Sequence, residues 1–106
     1  MNSPTPEQIA EITNRIVADI HPVKVVMFGS AARGEMGPDS DIDLLIIMPD
    51  GTHRRHTMEE IHRLCNGLSF PVDVVVATPS DIIRRQKMPG YIYTTALNEG
   101  KVLYAA

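Results

Sequence analysis

The chain holds a single cysteine and no tryptophan. Cys65 alone cannot build an intramolecular disulfide framework, which fits a reducing compartment and makes the cytoplasm the expected location. No apolar run approaches the roughly 20 residues that a bilayer-spanning helix needs. The opening MNSPTPEQ lacks the basic and apolar regions of a secretory signal, so neither export nor membrane attachment is expected. A basic surplus is missing too: ten Lys plus Arg face thirteen Asp plus Glu, for a formal charge of −3. Non-specific nucleic-acid binders carry a basic surface, and direct nucleic-acid binding is therefore not expected. There are no repeats, low-complexity tracts or linkers. With 106 residues, 43% of them hydrophobic, the chain suits one domain spanning 1–106 around a modest core.

What the sequence does contain is a clear alternation of helical and extended patterns. Thr5 is placed to cap a helix, Pro6 suits its first position, and Gln8 can close a capping box. Ile9, Ile12, Ile16 and Ile20 then recur at helical spacing until Pro22. Val23 to Phe28 reads as a strand broken by Gly29, Ala31 to Arg33 as one helical turn, and 34–40 as a loop. A second strand covers Asp41 to Met48. Helical pattern returns from Thr52 to Leu68, with Ile61, Leu64, Cys65 and Leu68 on one face. Val72 to Ala77 reads as a third strand, and Thr78-Pro79-Ser80-Asp81 opens a helix that ends at Pro89-Gly90. A short helix from Tyr91 to Asn98, stopped by Gly100, precedes an edge strand from Lys101 to Tyr104. Helices alternating with nearly continuous apolar strands imply an α/β or α+β layer fold with a covered sheet.

The chemistry concentrates in GSAARGEMGPDSDID, residues 29 to 43. Asp41 and Asp43 stand two apart at the head of the apolar run Leu44-Leu45-Ile46-Ile47, and strand residues two apart share a face. Two carboxylates roughly 4 Å apart, at an effective dielectric of about 20, repel by on the order of 4 kcal/mol. A divalent cation between them removes that cost. Asp73 is a third acid, enclosed by Val72, Val74, Val75 and Val76, where an unpaired carboxylate is costly. If its strand lies beside Asp41–Met48, the three form a cluster suited to a hard cation, Mg²⁺ or Mn²⁺. Gly29 would let the backbone approach a phosphate, and Ser30 adds a hydroxyl after it.

Gly29-Ser30, ten further residues, then Asp41-Ile42-Asp43 resembles the signature of the DNA-polymerase-β-type nucleotidyltransferase superfamily. The longer stretch GSAARGEMGPDSDIDLLI is similar to that of the minimal nucleotidyltransferases of bacteria and archaea, and the likeness runs to the ending LNEGKVLY. The resemblance implies a polymerase-β-like fold, a small mixed sheet with packed helices. It implies metal held by Asp41, Asp43 and Asp73, with Asp73 also the general base. Gly29 and Ser30 would bind the triphosphate, Arg33 would contact phosphate, and Ser40 would orient the loop before Asp41. The implied reaction moves AMP from ATP to a hydroxyl, with pyrophosphate leaving. Members of the minimal group pair with a HEPN-domain toxin as its antitoxin and adenylylate a tyrosine of it, which implies a hetero-oligomer. Two other readings stay open: a catalytically silent neutralising subunit of such a complex, and a stand-alone enzyme modifying a small hydroxylated molecule.

Other groups carry less. His53 and His56, three apart, have no third ligand nearby to make a zinc site, so His53-Arg54-Arg55-His56 reads as a solvated basic turn. Arg84-Arg85-Gln86-Lys87 reads as a solvent face with a possible acidic partner. Cys65 falls on an apolar helix face as a core residue.

Overall fold

The computed structural model describes residues 4–29, 42–68, 70–85 and 92–106. Helix α1 spans Pro6–Ile20, β1 Lys24–Phe28, β2 Ile42–Ile47, α2 Arg54–Leu64, β3 Val72–Ala77, α3 Pro79–Arg85, α4 Ile92–Glu99 and β4 Lys101–Ala105. The expected order of elements holds throughout the described residues. The helical turn expected at Ala31 to Arg33 lies outside them.

Local chemistry explains the boundaries. Thr5 Oγ1 accepts from the Gln8 N–H at 3.1 Å while Gln8 Oε1 accepts from the Thr5 N–H at 2.8 Å, so the capping box is complete. His21 closes α1 in the left-handed region at φ 56°, its N–H reaching the Val17 carbonyl. Helix α2 is shorter than the pattern from Thr52 to Leu68 suggested. His53 Nδ1 accepts from the His56 N–H at 3.1 Å, which places the cap at His53, and the chain leaves the helix at Cys65.

The four strands form one sheet in the order β3-β2-β1-β4. Strand β1 is antiparallel to both β2 and β4, whereas β2 and β3, joined through α2, run parallel. This mixed sheet with packed helices is the α+β architecture expected. One face carries the larger core, in which Ile12 and Ile16 of α1 and Ile61 of α2 meet Val25, Ile42, Leu44, Ile46, Val74 and Val76. The opposite face gathers Val26, Phe28, Leu45, Ile47 and Ala77 against Ala96 of α4 and Ile82 of α3. Covering on both faces is why β2 reads as an unbroken apolar run.

The ladders extend past the strand ends. The Ile42 N–H bonds the Pro71 carbonyl at 3.1 Å and the Met48 N–H bonds the Ala77 carbonyl at 2.8 Å. Strands β2 and β3 are thus held level from end to end.

Candidate active site

Asp43 and Asp73 are register partners in adjacent parallel strands. Asp43 also faces Phe28 across the antiparallel ladder to β1. Paired residues project to the same side of a sheet, so Asp73, Asp43 and Phe28 form a row across three strands. Along the strands this row belongs to the face of Val26, Leu45, Ile47, Val75 and Ala77, the face covered by α3 and α4. It sits at the sheet end where β1 finishes and β2 and β3 begin. Phe28 is buried, Asp43 half-buried and Asp73 exposed.

Gly29 follows Phe28 with φ 75°, in the left-handed region where glycine is unstrained. A Cβ added there would collide with Asp43 Oδ2 and lie 3.3 Å from Asp43 Cγ. The bare Cα of Gly29 therefore lies against the Asp43 carboxylate. Three of the residues singled out from sequence, Gly29, Asp43 and Asp73, meet at one point of the fold. The others, Ser30, Arg33, Ser40 and Asp41, lie outside the described residues.

Adjacent strands are about 4.8 Å apart. Two carboxylates at that spacing repel by about 1 kcal/mol in water and about 3 kcal/mol at an effective dielectric of 20. An all-oxygen anionic pair, level in neighbouring strands and open to solvent at Asp73, is the donor chemistry that hard divalent cations take. Asp43 and Asp73 thus fit such a cation. Phe28 is the neighbour that sequence reasoning passed over, although its place directly before Gly29 and opposite the Asp-x-Asp strand was available from strand alternation.

A second polar cluster occupies the other end of the sheet. Asp81, 3% exposed, accepts from the Thr78 N–H at 3.1 Å, while Thr78 Oγ1 accepts from the Asp81 N–H at 3.3 Å, a second capping box. Arg54 reaches Asp81 Oδ2 at 3.3 Å and Arg84 pairs with Asp81 Oδ1. Burial pushes the Asp81 carboxyl up, but hydrogen bonds from Thr78, then Arg84 and Arg54, outweigh it and hold the group below the usual carboxylate range. Nearby, Asp50 accepts from the Ser80 N–H at 3.1 Å and hydroxyl at 2.9 Å, and these bonds lower its pKa. Arg54 and Arg84, read from sequence as solvated, are therefore part of a clasp joining α2 to α3. Cys65 packs on the larger core from the end of α2, and burial pushes its thiol up, so it is no activated nucleophile. His56 pairs with Glu60 at 2.8 Å rather than with a metal-ligand partner.

Comparison with known proteins gives a consistent picture. The family model described as nucleotidyltransferase domain matches residues 7–103. A protein of Methanocaldococcus jannaschii that carries the provisional name of protein adenylyltransferase is 31% identical over 83 residues, 76% of this chain and 77% of its own length. A provisionally named nucleotidyltransferase from Sulfolobus solfataricus has a similar structure, with TM-score 0.61 and 21% identity, covering 92% of this chain and 77% of its own. A crystal structure of a toxin–antitoxin with AMP-PNP aligns at TM-score 0.60 and 20% identity over 92% of this chain and 73% of the other. Among the described residues, no helix is long and apolar enough to cross a membrane.

Proposed function

The chain belongs to the nucleotidyltransferase domain family, and on that premise we propose that it is an antitoxin that transfers AMP from ATP to a tyrosine hydroxyl of a partner HEPN-domain toxin. The single observation that carries this reading is the level pairing of Asp43 with Asp73 beside the bare Cα of Gly29. The protein-adenylyltransferase name of the archaeal relative supports the chemistry. The structural likeness to a toxin–antitoxin with AMP-PNP supports the nucleotide and the kind of partner.

The roles of Gly29, Asp43 and Asp73 follow from position, and those of Ser30, Arg33, Ser40 and Asp41 from the resemblance of the sequence. Gly29, directly after β1, has no side chain to displace the Asp43 carboxylate, and its backbone is the group assigned to the triphosphate. Ser30 and Arg33 bind its oxygens, and Ser40 orients the residues that lead to Asp41. Asp41, Asp43 and Asp73 together would hold Mg²⁺ or Mn²⁺, which when bound neutralises charge on the reacting phosphates. Asp73 is the outermost carboxylate of the pair that the sheet sets side by side, and it takes the proton of the acceptor hydroxyl. That oxygen then forms a bond to the α-phosphorus of ATP. The bond from the α-phosphorus to the bridging oxygen of the β-phosphate breaks, and pyrophosphate leaves with the electron pair. Most of the rate gain is positioning and electrostatics, as in other phosphoryl-type transfers.

The test is transfer from α-labelled ATP, with Mg²⁺, to a co-purified partner. Wild type labels the partner, and Asp43→Asn and Asp73→Asn, both folded, do not. Labelling by Asp73→Asn at the wild-type rate would remove that residue from the mechanism. If wild type binds and neutralises the partner without labelling it, the transferase role in the complex is wrong.

A further inference from the structure

Strand β3 ends the sheet order, so among the described residues no strand pairs with its outer edge. Helix α2 contacts α1 on one side, and its other flank overhangs this edge. Between them lies an open groove of about 730 Å³, floored by Met58 and Val76. Its walls carry Arg54, Arg55, His53 and His62 against one acid, Glu59. Counted with histidines neutral, two arginines against one glutamate leave the groove at a formal +1 in a chain of −3.

Folding accounts for only part of that charge. Arg54 and Arg55 occupy the first two positions of α2, whose first turn has no acid, and cations there oppose the helix dipole by a few tenths of a kcal/mol or more. Arg54 is offset by Asp81, whereas Arg55 makes no ion pair with a described residue. An open strand edge offers a row of backbone donors and acceptors to an extended peptide, and flanking side chains select its composition.

We propose that the outer edge of β3 is the acceptor-docking site: an acidic, extended segment of the partner protein adds to the sheet beside β3, its carboxylates against Arg54 and Arg55, with His62 alongside. This rests on the transfer reaction proposed above. Val76 is three residues from Asp73, about 10 Å along a strand. A segment paired along β3 from the groove toward the strand's start reaches the register position beside Asp73. Because Asp73 and Val76 project to opposite faces, its carboxylates would point to the α2 face and its acceptor hydroxyl to the face of Asp73, with Asp43 one strand further in. The edge thereby delivers the acceptor hydroxyl to the general base, and the basic groove fixes where along the segment that hydroxyl falls.

The experiment uses fluorescein-labelled poly(Glu,Tyr) and poly(Lys,Tyr) copolymers. Binding is read by anisotropy, strand protection by amide hydrogen exchange, and transfer by α-labelled ATP. Wild type should bind the acidic copolymer at least tenfold more tightly than the basic one, with new protection confined to β3 amides. Arg55→Glu and, independently, His62→Glu should each weaken that binding about tenfold while melting as wild type does. Absent or equal binding of the two copolymers, unaltered binding by both variants, or no protection in β3 overturns the docking site. Binding in the expected pattern without label on the copolymer leaves the docking site standing and counts against transfer to tyrosine.

Discussion

Replacing Gly29 by alanine should cut transfer about a hundredfold while costing no more stability than its backbone conformation demands. The added methyl faces two separate penalties. At φ 75° a non-glycine residue costs about 1–2 kcal/mol. The methyl would also overlap Asp43 Oδ2, the far end of a side chain. Such an overlap is relieved by turning the carboxylate away, which is cheap for the fold but moves the group proposed to hold the metal. A displacement on the order of 1 Å costs about a hundredfold in rate in a positioned reaction. Gly51 supplies the control, since it has φ 90° and nothing within 4 Å of an added Cβ. Gly51→Ala pays the backbone penalty alone.

Both variants should therefore lose about 1–2 kcal/mol, roughly 4–8 °C of melting temperature per kcal/mol for a domain of this size, read by circular dichroism. Only Gly29→Ala should lose about a hundredfold in AMP transfer. Equal transfer by the two variants would refute the claim that the bare Cα of Gly29 positions Asp43. A far larger stability loss in Gly29→Ala would show that Asp43 cannot turn, and that the residue is structural.

Asp81 should make the fold acid-sensitive. Its carboxyl ionises below the ordinary value of 3.8 in the folded state, so its stabilisation is complete above that value and is lost as the pH falls through the folded pKa. Denaturant melts should show wild type more stable than Asp81→Asn by about 1–3 kcal/mol at pH 7, with the gap closing below about pH 4; a gap unchanged at pH 3 would contradict the assignment. Ile46→Ala, at a side chain fully buried in the larger core, should cost about 2–5 kcal/mol in the same melts, and a loss under 1 kcal/mol would mean the core collapses around the gap.

Much of this was legible because it is local. The capping box Thr5–Gln8, the isoleucine ladder of α1 and the breaks at Pro22 and Gly29 are interactions among near neighbours in sequence, and they specify their element alone. The acids of β2 and β3 were visible as charges inside valine and isoleucine runs. What sequence does not carry is distance between elements. That Asp43 and Asp73 are level depends on a parallel register set across the intervening α2, and nothing within either strand states it. Arg54 and Asp81 are 27 residues apart and Asp50 and Ser80 are 30 apart, so their clasp was invisible and the arginines read as solvated. Helix α2 starts two residues later than the pattern from Thr52 suggests because its cap is His53, an unusual capping residue, and ends at Leu64, four residues before Leu68.

The register of β3 is itself the device that makes the site. A strand slipped by one residue presents every side chain to the opposite face. In β3 such a slip would turn Asp73 toward Ile61 and Leu44 and bring Val74 and Val76 out of the larger core. It would also take Val75 and Ala77 from the smaller core. Strand β3 is apolar on both faces, so both cores resist the slip, and burying an uncompensated carboxylate adds several kcal/mol more. Asp73 therefore has one place to be, level with Asp43, at the rim where water and a substrate can reach it. The same parallel pairing leaves β3 as the outermost strand among the described residues, so the residue that the cores force into line with Asp43 also borders a sheet edge flanked by the groove of Arg54 and Arg55. The register that assembles the carboxylates and the edge that would admit an acceptor are consequences of one strand's placement.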